Sequence, residues 1–280
     1  MAQPFFHEHT HQSILRLAQS STHAIGLQGA SGAGKMTAAA YLAAQAGAEV
    51  QYIYPEKKDV VDRENGVISI AIIRRLYTLT QGRSARRRVL VIVGAGTMSH
   101  SAQNAFLKLL EEPTANTTFI LLIENPENLL PTVRSRLQII TIQNITKEQS
   151  LSLLDQLGVK DERTREQLLF IAGGLPARLT ELATDASRLD REAQLLRQAR
   201  TLIQGSRYER LRVAHLVKGD RHKAQSVVRY AIDLLKHEVQ RRQSADDSML
   251  RLLAALEEAL RRLYTNANPR LTLAAVALSV

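Results

Sequence analysis

The sequence contains no cysteine and no tryptophan in 280 residues. Without thiols, disulfide frameworks, thiolate catalysis and zinc sites built from cysteine are excluded. Aromatic side chains are scarce as well, with 7 Tyr and 5 Phe in the whole chain. Sequence-specific binding of single-stranded nucleic acid therefore lacks the aromatic side chains on which the bases usually stack.

Long hydrophobic runs are also missing. No segment approaches the roughly 18 consecutive apolar residues that are needed to span a bilayer. The first thirty residues carry histidines and polar side chains where a signal peptide would need a basic start and an apolar stretch. We therefore expect no membrane partner and a cytoplasmic location.

The residues that are present give the chain a strongly positive balance. Lys and Arg number 37 against 27 Asp and Glu, a net charge of +10, and hydrophobic residues make up 45% of the chain. This composition is typical of a soluble globular protein, and at about 150 residues per domain the length predicts roughly two domains. The positive charge favours an acidic partner, either nucleic acid or an acidic protein surface.

The pattern of apolar residues predicts an α/β fold followed by an all-α region. Short apolar runs alternate with helical patterns in the first half, which indicates a parallel sheet built from βαβ units. Beyond residue 142 the strand signals nearly vanish and amphipathic helices follow. The five predicted strands cover 23–28, 50–54, 89–93, 119–123 and 137–142. We predict an α/β domain over 1–145, a small three-helix domain over 146–187 and a helical domain over 188–280.

A glycine-rich segment, Gly29-Ala-Ser-Gly-Ala-Gly-Lys35, follows the first predicted strand and opens a predicted helix over 36–46. That context predicts a phosphate-binding loop. Gly29, Gly32 and Gly34 allow successive backbone N–H groups to point into one cavity, and Lys35 is expected to reach the β- and γ-phosphate oxygens. The alternative is a glycine-rich turn that binds nothing.

Two ligands that phosphate loops use for Mg²⁺ are missing. Position 36 is Met where such loops carry Ser or Thr, and the strand ending at Val93-Gly94 lacks the acidic residues that hold the metal and polarise water. We therefore expect negligible ATP hydrolysis by this chain alone. Two alternatives stay open. Thr37 could replace the hydroxyl, although a one-residue shift turns a helical side chain by about 100°. The missing carboxylate could come from Glu64, Glu111 or Glu112.

Motifs spread over nearly the whole chain match a known family. The most specific is the helical block Ser101-Ala-Gln-Asn-Ala-Phe-Leu-Lys-Leu-Leu-Glu-Glu-Pro113, followed by the pair Ser135-Arg136. The other matching stretches are His23-Ala24, Ile68 to Leu76, Asn125 to Arg136 and Asn266 to Leu271. Together they resemble the delta-prime-type clamp-loader subunits of bacterial DNA polymerase III, a family within the AAA+ class.

The resemblance implies an AAA+ P-loop domain with a parallel sheet, a three-helix lid and a helical collar that joins five subunits in a ring. It also implies that Arg136, with Ser135 before it, projects an arginine finger into the ATP site of the neighbouring subunit. There a planar cation neutralises the charge that develops on the γ-phosphate. The implied partners are the motor (gamma/tau) and delta subunits, the sliding clamp and primer-template DNA.

Departures from the family pattern concern the machinery of hydrolysis. Pro176 stands where hydrolysing members have an arginine, with Arg178 close by, and the polar sensor residue near Glu124 is altered. Leu137 replaces the cysteine that usually follows Ser-Arg, and the four-cysteine zinc module is missing. The pattern therefore favours the delta-prime type, a non-hydrolysing part of the polymerase holoenzyme, over the motor subunits. We expect no zinc and no required cofactor, and whether ATP or ADP binds weakly without Mg²⁺ stays open.

Clusters of basic residues and histidines complete the candidate sites. The arginines that cluster before the third predicted strand are candidate DNA contacts, because each phosphate that they neutralise releases a counterion. The alternative is a solvated loop. These residues are Arg74, Arg75, Arg83, Arg86, Arg87 and Arg88. His7, His9 and His11 are interpreted as part of a solvated arm rather than a metal site.

Two other functions compete with the delta-prime interpretation. One is an ATP-hydrolysing gamma/tau-like motor subunit, which the missing carboxylate opposes. The other is a stand-alone nucleic-acid-binding protein on a degenerate AAA+ fold, which the collar-like final helices oppose.

Overall fold

The computed structural model describes residues 4–63, 65–81, 86–112, 115–217, 219–242, 246–265 and 267–279. The chain divides into two compact units, Met1–Thr184 and Asp185–Val280. No helix in the described part of the chain combines the length and apolar character needed to cross a membrane.

The first unit contains a parallel five-stranded sheet and the helices that the chain forms before, between and after its strands. Its strands are β1 (Ala24–Gln28), β2 (Glu49–Ile53), β3 (Glu56–Lys57), β4 (Val60–Val61), β5 (Arg88–Ile92), β6 (Thr117–Ile123) and β7 (Gln138–Thr141). Its helices are α1 (Glu8–Gln19), α2 (Lys35–Gln45), α3 (Ile70–Gln81), α4 (His100–Glu111), α5 (Pro131–Arg134), α6 (Lys147–Gln156), α7 (Glu162–Ala172) and α8 (Pro176–Thr184). The sheet order is β2-β5-β6-β1-β7, and β3 pairs with β4 in a separate antiparallel hairpin.

The centre of the sheet is covered on both faces. The strands β1, β5 and β6 are almost wholly buried, as expected of parallel strands with helices on either side. One face packs on α3 and α4, where Phe106 meets Phe119 edge to face with ring centroids 5.3 Å apart. The other face packs on α1 and α2 through residues such as Ile14 and Leu42. All five predicted strands are therefore present and lie in one sheet.

The helices after the sheet begin at side-chain caps. Thr146 and Gln149 form a reciprocal capping box at the start of α6, which holds two otherwise unpaired backbone donors. Asp161 caps α7 through its own side chain. The helices α6, α7 and α8 pack on one another inside the first unit. The division into three domains at residues 145 and 187 stays a prediction.

The second unit is helical throughout its described residues. Its helices are α9 (Ala186–Gln204), α10 (Arg207–Leu216), α11 (Arg221–Arg242), α12 (Asp247–Leu263) and α13 (Pro269–Leu278). The long helix α11 packs between α9 and α12, and α13 packs on α10 and α12. Arg221 donates hydrogen bonds to the carbonyls of Leu263, Thr265 and Ala267. This guanidinium satisfies carbonyls at the C-terminal end of α12.

Some elements of the first unit differ from expectation. His7, His9 and His11 are not on a solvated arm, because His7 caps α1 and the ring of His11 hydrogen bonds to the Tyr41 hydroxyl at 3.0 Å. Thr10, Ile14 and Leu17 bury one face of that helix. The hairpin of β3 and β4 has no apolar alternation that would have predicted it.

Candidate functional site

The phosphate loop joins β1 to α2 as predicted. Gly32 and Gly34 both adopt left-handed conformations, with φ of 82° and 87°, which favour glycine over residues with a side chain. Gly34 is the N-cap of α2, so the loop ends at the positive end of that helix. The turn and the helix start are therefore present at the predicted place, and phosphate binding there stays a prediction.

The ammonium group of Lys35 contacts the chain's own atoms. Its Nζ lies 2.7 Å from the carbonyl oxygen of Gly29, 2.8 Å from that of Ala30 and 3.4 Å from Oε1 of Glu124. An ammonium has three N–H donors, so these acceptors use all of them. The side chain is only 10% exposed, and this burial lowers the pKa of Lys35, against the opposing effect of Glu124.

The N-terminus of α8 packs directly on the loop. The backbone N–H groups of Ala177 and Arg178 donate to the carbonyl of Gly32 at 3.0 and 3.3 Å. The approach is so close that a Cβ on Gly32 would lie 2.8 Å from the Cβ of Arg178. Pro176, where the resemblance leads us to expect an arginine in hydrolysing members, starts this helix. The loop is thus tied to α8 by backbone contacts.

No carboxylate follows the described end of β5. Val93 continues the sheet by donating to the carbonyl of Ile53 at 2.9 Å, and Gly94 turns the chain with φ of 66°. Met36 and Thr37 are both exposed on the first turn of α2. Of the alternative carboxylates, Glu111 is engaged elsewhere, as described next, Glu112 adjoins it, and Glu64 lies outside the described residues.

The pair Ser135-Arg136 forms a corner between α5 and β7. Ser135 caps α5 and donates its hydroxyl to the carbonyl of Thr132 at 3.1 Å. Arg136 donates from Nη1 to the same carbonyl at 2.9 Å and from Nη2 to Oε1 of Glu111 at 2.7 Å. Its side chain is 37% exposed. The guanidinium is therefore held at the surface by contacts within the chain.

The phosphate loop lies at the edge of the sheet formed by the carboxyl ends of the strands, and the Ser135-Arg136 corner lies at the edge formed by their amino ends. The strands β1 and β7 are parallel neighbours, with Gln28 beside Thr141 and Ile25 beside Gln138. The phosphate loop follows the carboxyl end of β1, whereas Arg136 precedes the amino end of β7. At about 3.3 Å per residue the two edges are separated by roughly 10–15 Å along the strands. Arg136 consequently lies away from the phosphate loop of its own chain.

The structure does not gather the candidate DNA contacts in one patch. Arg75 pairs with Glu56, beyond the carboxyl end of β2, at 2.6 Å. Arg86 pairs with Glu49, at the amino end of the same strand, at 3.0 Å. Arg74 and Arg87 are exposed, Arg88 donates to the carbonyl of Leu79 at 3.0 Å, and Arg83 lies outside the described residues. Their contact with DNA stays a prediction.

Sequence reasoning missed the roles of two side chains in this region. Glu111 contacts Arg136, whereas the sequence offered it only as an alternative carboxylate for the metal. Gln103 is buried and bonds to the carbonyls of Met98 and Asn128 and to the N–H of Leu130. A polar residue on the apolar face of α4 was the signal for it.

Solved structures of other proteins share this fold. A DNA polymerase III gamma subunit-related protein from Thermotoga maritima matches with a TM-score of 0.54 and 18% identity, over 95% of this chain and 96% of that one. A point variant of Thermotoga maritima RuvB gives a TM-score of 0.50 at 14% identity, over 86% and 83% of the two chains. The fold is an AAA+ α/β domain followed by a helical region, as predicted.

Sequence comparisons match the N-terminal part of the chain to one family. Residues 8–146 match the family described as DNA polymerase III, delta subunit. The chain is 32% identical over 119 residues to the DNA polymerase III subunit delta' of Pseudomonas aeruginosa, and 47% identical over 49 residues to that of Escherichia coli. Over residues 8–146 the chain is thus similar to the DNA polymerase III clamp-loader family. The matches cover 42% and 18% of this chain, and span 36% and 15% of the relatives' lengths.

Proposed function

We propose that this chain is a delta-prime-like subunit of a bacterial DNA polymerase III clamp loader. In this proposal it works in the cytoplasm, helps to assemble the loader ring and donates Arg136 to the ATP site of a neighbouring motor subunit during sliding-clamp loading. Its partners are the gamma/tau and delta subunits, the sliding clamp and primer-template DNA. It hydrolyses no ATP itself and requires neither nucleotide nor metal.

The observation that carries the proposal is the placement of Arg136 relative to the phosphate loop. An arginine that stabilises a γ-phosphate must contact it, and Arg136 is at the sheet edge opposite its own loop. Its half-exposed guanidinium is accessible to another molecule. A role in trans accounts for both facts.

The phosphate loop of this chain supports the proposal that the chain hydrolyses no ATP itself. Hydrolysis needs a metal ion and an oriented water. Met36 and Val93 stand at the positions that would supply the hydroxyl and the carboxylate. Lys35 already donates to Gly29, Ala30 and Glu124, so phosphate binding would require these bonds to be exchanged.

Reconstitution tests the proposal. The chain is mixed with the gamma/tau and delta subunits of its own organism, and assembly is followed by size-exclusion chromatography with light scattering. We expect a stable complex whose DNA-stimulated ATP turnover falls about tenfold or more in the Arg136→Ala variant, since an arginine finger contributes to the transition state. Assembly of that variant should match the wild type.

The competing functions give different results in the same experiments. Mg²⁺-dependent turnover by the isolated chain, abolished by Lys35→Ala, would identify a motor subunit instead. Failure to assemble, together with salt-dependent DNA binding by the chain alone, would identify a stand-alone nucleic-acid-binding protein. Turnover unchanged by Arg136→Ala in a fully assembled complex would remove the role in trans.

A further inference from the structure

The carboxylate of Glu111 contacts the guanidinium of the proposed arginine finger. The two groups come from different elements, since Glu111 ends α4 and Arg136 precedes β7. The distance from Nη2 to Oε1 is 2.7 Å, which is typical of a charge-assisted hydrogen bond. The pair joins the end of α4 to the corner that carries the finger.

The guanidinium is held at two of its nitrogens. Nη2 donates to Glu111, and Nη1 donates to the carbonyl of Thr132 at 2.9 Å. A planar group that is bonded through both terminal nitrogens has its plane and direction set. The remaining N–H groups of the fork are available to another acceptor, because a guanidinium has five donors. Arg136 can therefore bind an outside anion while Glu111 continues to hold it.

The position of Glu111 does not favour helix stability. A carboxylate in the last turn faces the negative end of the helix dipole, where cations such as the nearby Lys108 are favourable. The ion pair is also half-exposed, at 50% for Glu111 and 37% for Arg136, and such pairs contribute little to stability. The contact with Arg136 accounts for an acidic residue at this point better than local stability does.

We propose that Glu111 is a positioning residue for Arg136, which holds the guanidinium ready for the γ-phosphate of the neighbouring subunit. This inference rests on the proposed function. Without the carboxylate the arginine samples more rotamers, so fewer encounters present it in the productive geometry. Because the finger acts on charge that develops in the transition state, the loss falls on kcat and leaves KM for ATP nearly unchanged.

The experiment measures DNA-stimulated ATP turnover of the reconstituted ring with each variant. Arg136→Ala defines the part of the turnover that depends on the finger. We expect Glu111→Gln to lower that part about two- to tenfold in kcat, with KM within about twofold of the wild type. Glu111→Asp, which keeps the charge on a shorter arm, should restore part of the loss. In the Arg136→Ala background, Glu111→Gln should have no further effect.

The adjacent carboxylate provides a matched control. Glu112→Gln removes the same charge one residue later, and we expect turnover equal to that of the wild type. If Glu111→Gln matches the wild type while Arg136→Ala is impaired, the inference fails and the proposed function stands. If Arg136→Ala itself has no effect, both fail. A Glu111→Gln loss that persists in the Arg136→Ala background would also overturn the positioning role.

Discussion

The phosphate loop and the Ser135-Arg136 corner lie in the same unit, and both carry a cation held by a glutamate. At the loop, Lys35 is 10% exposed and its three donors are taken by the chain. At the corner, Arg136 is 37% exposed, and one glutamate and one carbonyl hold it. The first cation is enclosed by its own chain, and the second is presented at the surface.

Under the proposed function, we expect this difference to separate residues that maintain the fold from residues that act on a partner. A buried, fully bonded group affects stability when it is changed, because its neighbours lose partners or space. A half-exposed ion pair contributes little to stability, so its energetic value depends on what it binds. Substitutions in the loop should therefore change the free energy of unfolding, and substitutions at the corner should change the ATP turnover of the assembled complex.

The largest expected effect is on stability at Gly32. Gly32→Ala places a side chain in a left-handed conformation and 2.8 Å from the Cβ of Arg178. We expect the free energy of unfolding to fall by about 2–4 kcal/mol, from backbone strain plus displacement of α8. Urea denaturation followed by circular dichroism measures the change.

Gly47 supplies the control for that substitution. Its φ is 62°, similar in sign, yet nothing lies within 4 Å of a Cβ built there. Gly47→Ala should cost only about 1 kcal/mol of strain. Equal losses at the two glycines would mean that the packing of α8 on the loop contributes nothing to stability.

A change of intermediate size is expected at the corner. Arg136→Lys keeps the positive charge but loses the planar fork that can bind Glu111 and a phosphate together. We expect the DNA-stimulated turnover of the assembled complex to fall about tenfold, equivalent to about 1.4 kcal/mol. The free energy of unfolding of the isolated chain should stay within about 0.5 kcal/mol of the wild type. Full activity with lysine would show that charge alone is sufficient, and a large loss of stability would place the corner in the same class as the loop.

The smallest effect is a dependence of stability on pH at Lys35. Burial lowers the pKa of Lys35 below its ordinary value of 10.5, so the unfolded chain binds this proton more tightly than the folded chain. Folding therefore carries a penalty at neutral pH that is relieved as pH rises through the folded pKa towards 10.5. The stability of the wild type relative to Lys35→Met should increase over that range.

The other titratable groups are the same in the wild type and in Lys35→Met, so their contributions cancel in the difference in stability. Urea denaturation of the two proteins at several pH values, from neutral up to the ordinary lysine pKa of 10.5, provides the comparison. A difference that is constant, or that falls with pH, would contradict the enclosed state of Lys35.

Patterns that depend on near neighbours in the chain were predictable. The apolar runs located all five strands of the sheet, since strands buried on both faces need continuous apolar residues. Thr146 and Gln149 have the spacing of a capping box, and α6 begins at Lys147 directly after Thr146. The helix α1 was mistaken for an arm because its first turn is rich in polar residues, although Ile14 and Leu17 already marked a buried face.

The sequence by itself determined the five strands of the main sheet, the all-helical second half, the phosphate-loop motif with its missing Mg²⁺ ligands, and the family resemblance. These properties depend on residue types and on their spacing over a few positions, both of which can be read directly from the sequence. Only the tertiary structure decided that Lys35 donates to Glu124, that Arg178 lies on Gly32, and that Glu111 holds Arg136 at the edge opposite the loop. Such contacts join residues far apart in the chain, and they follow from the parallel register of the strands and the packing of helices, which short-range patterns do not specify.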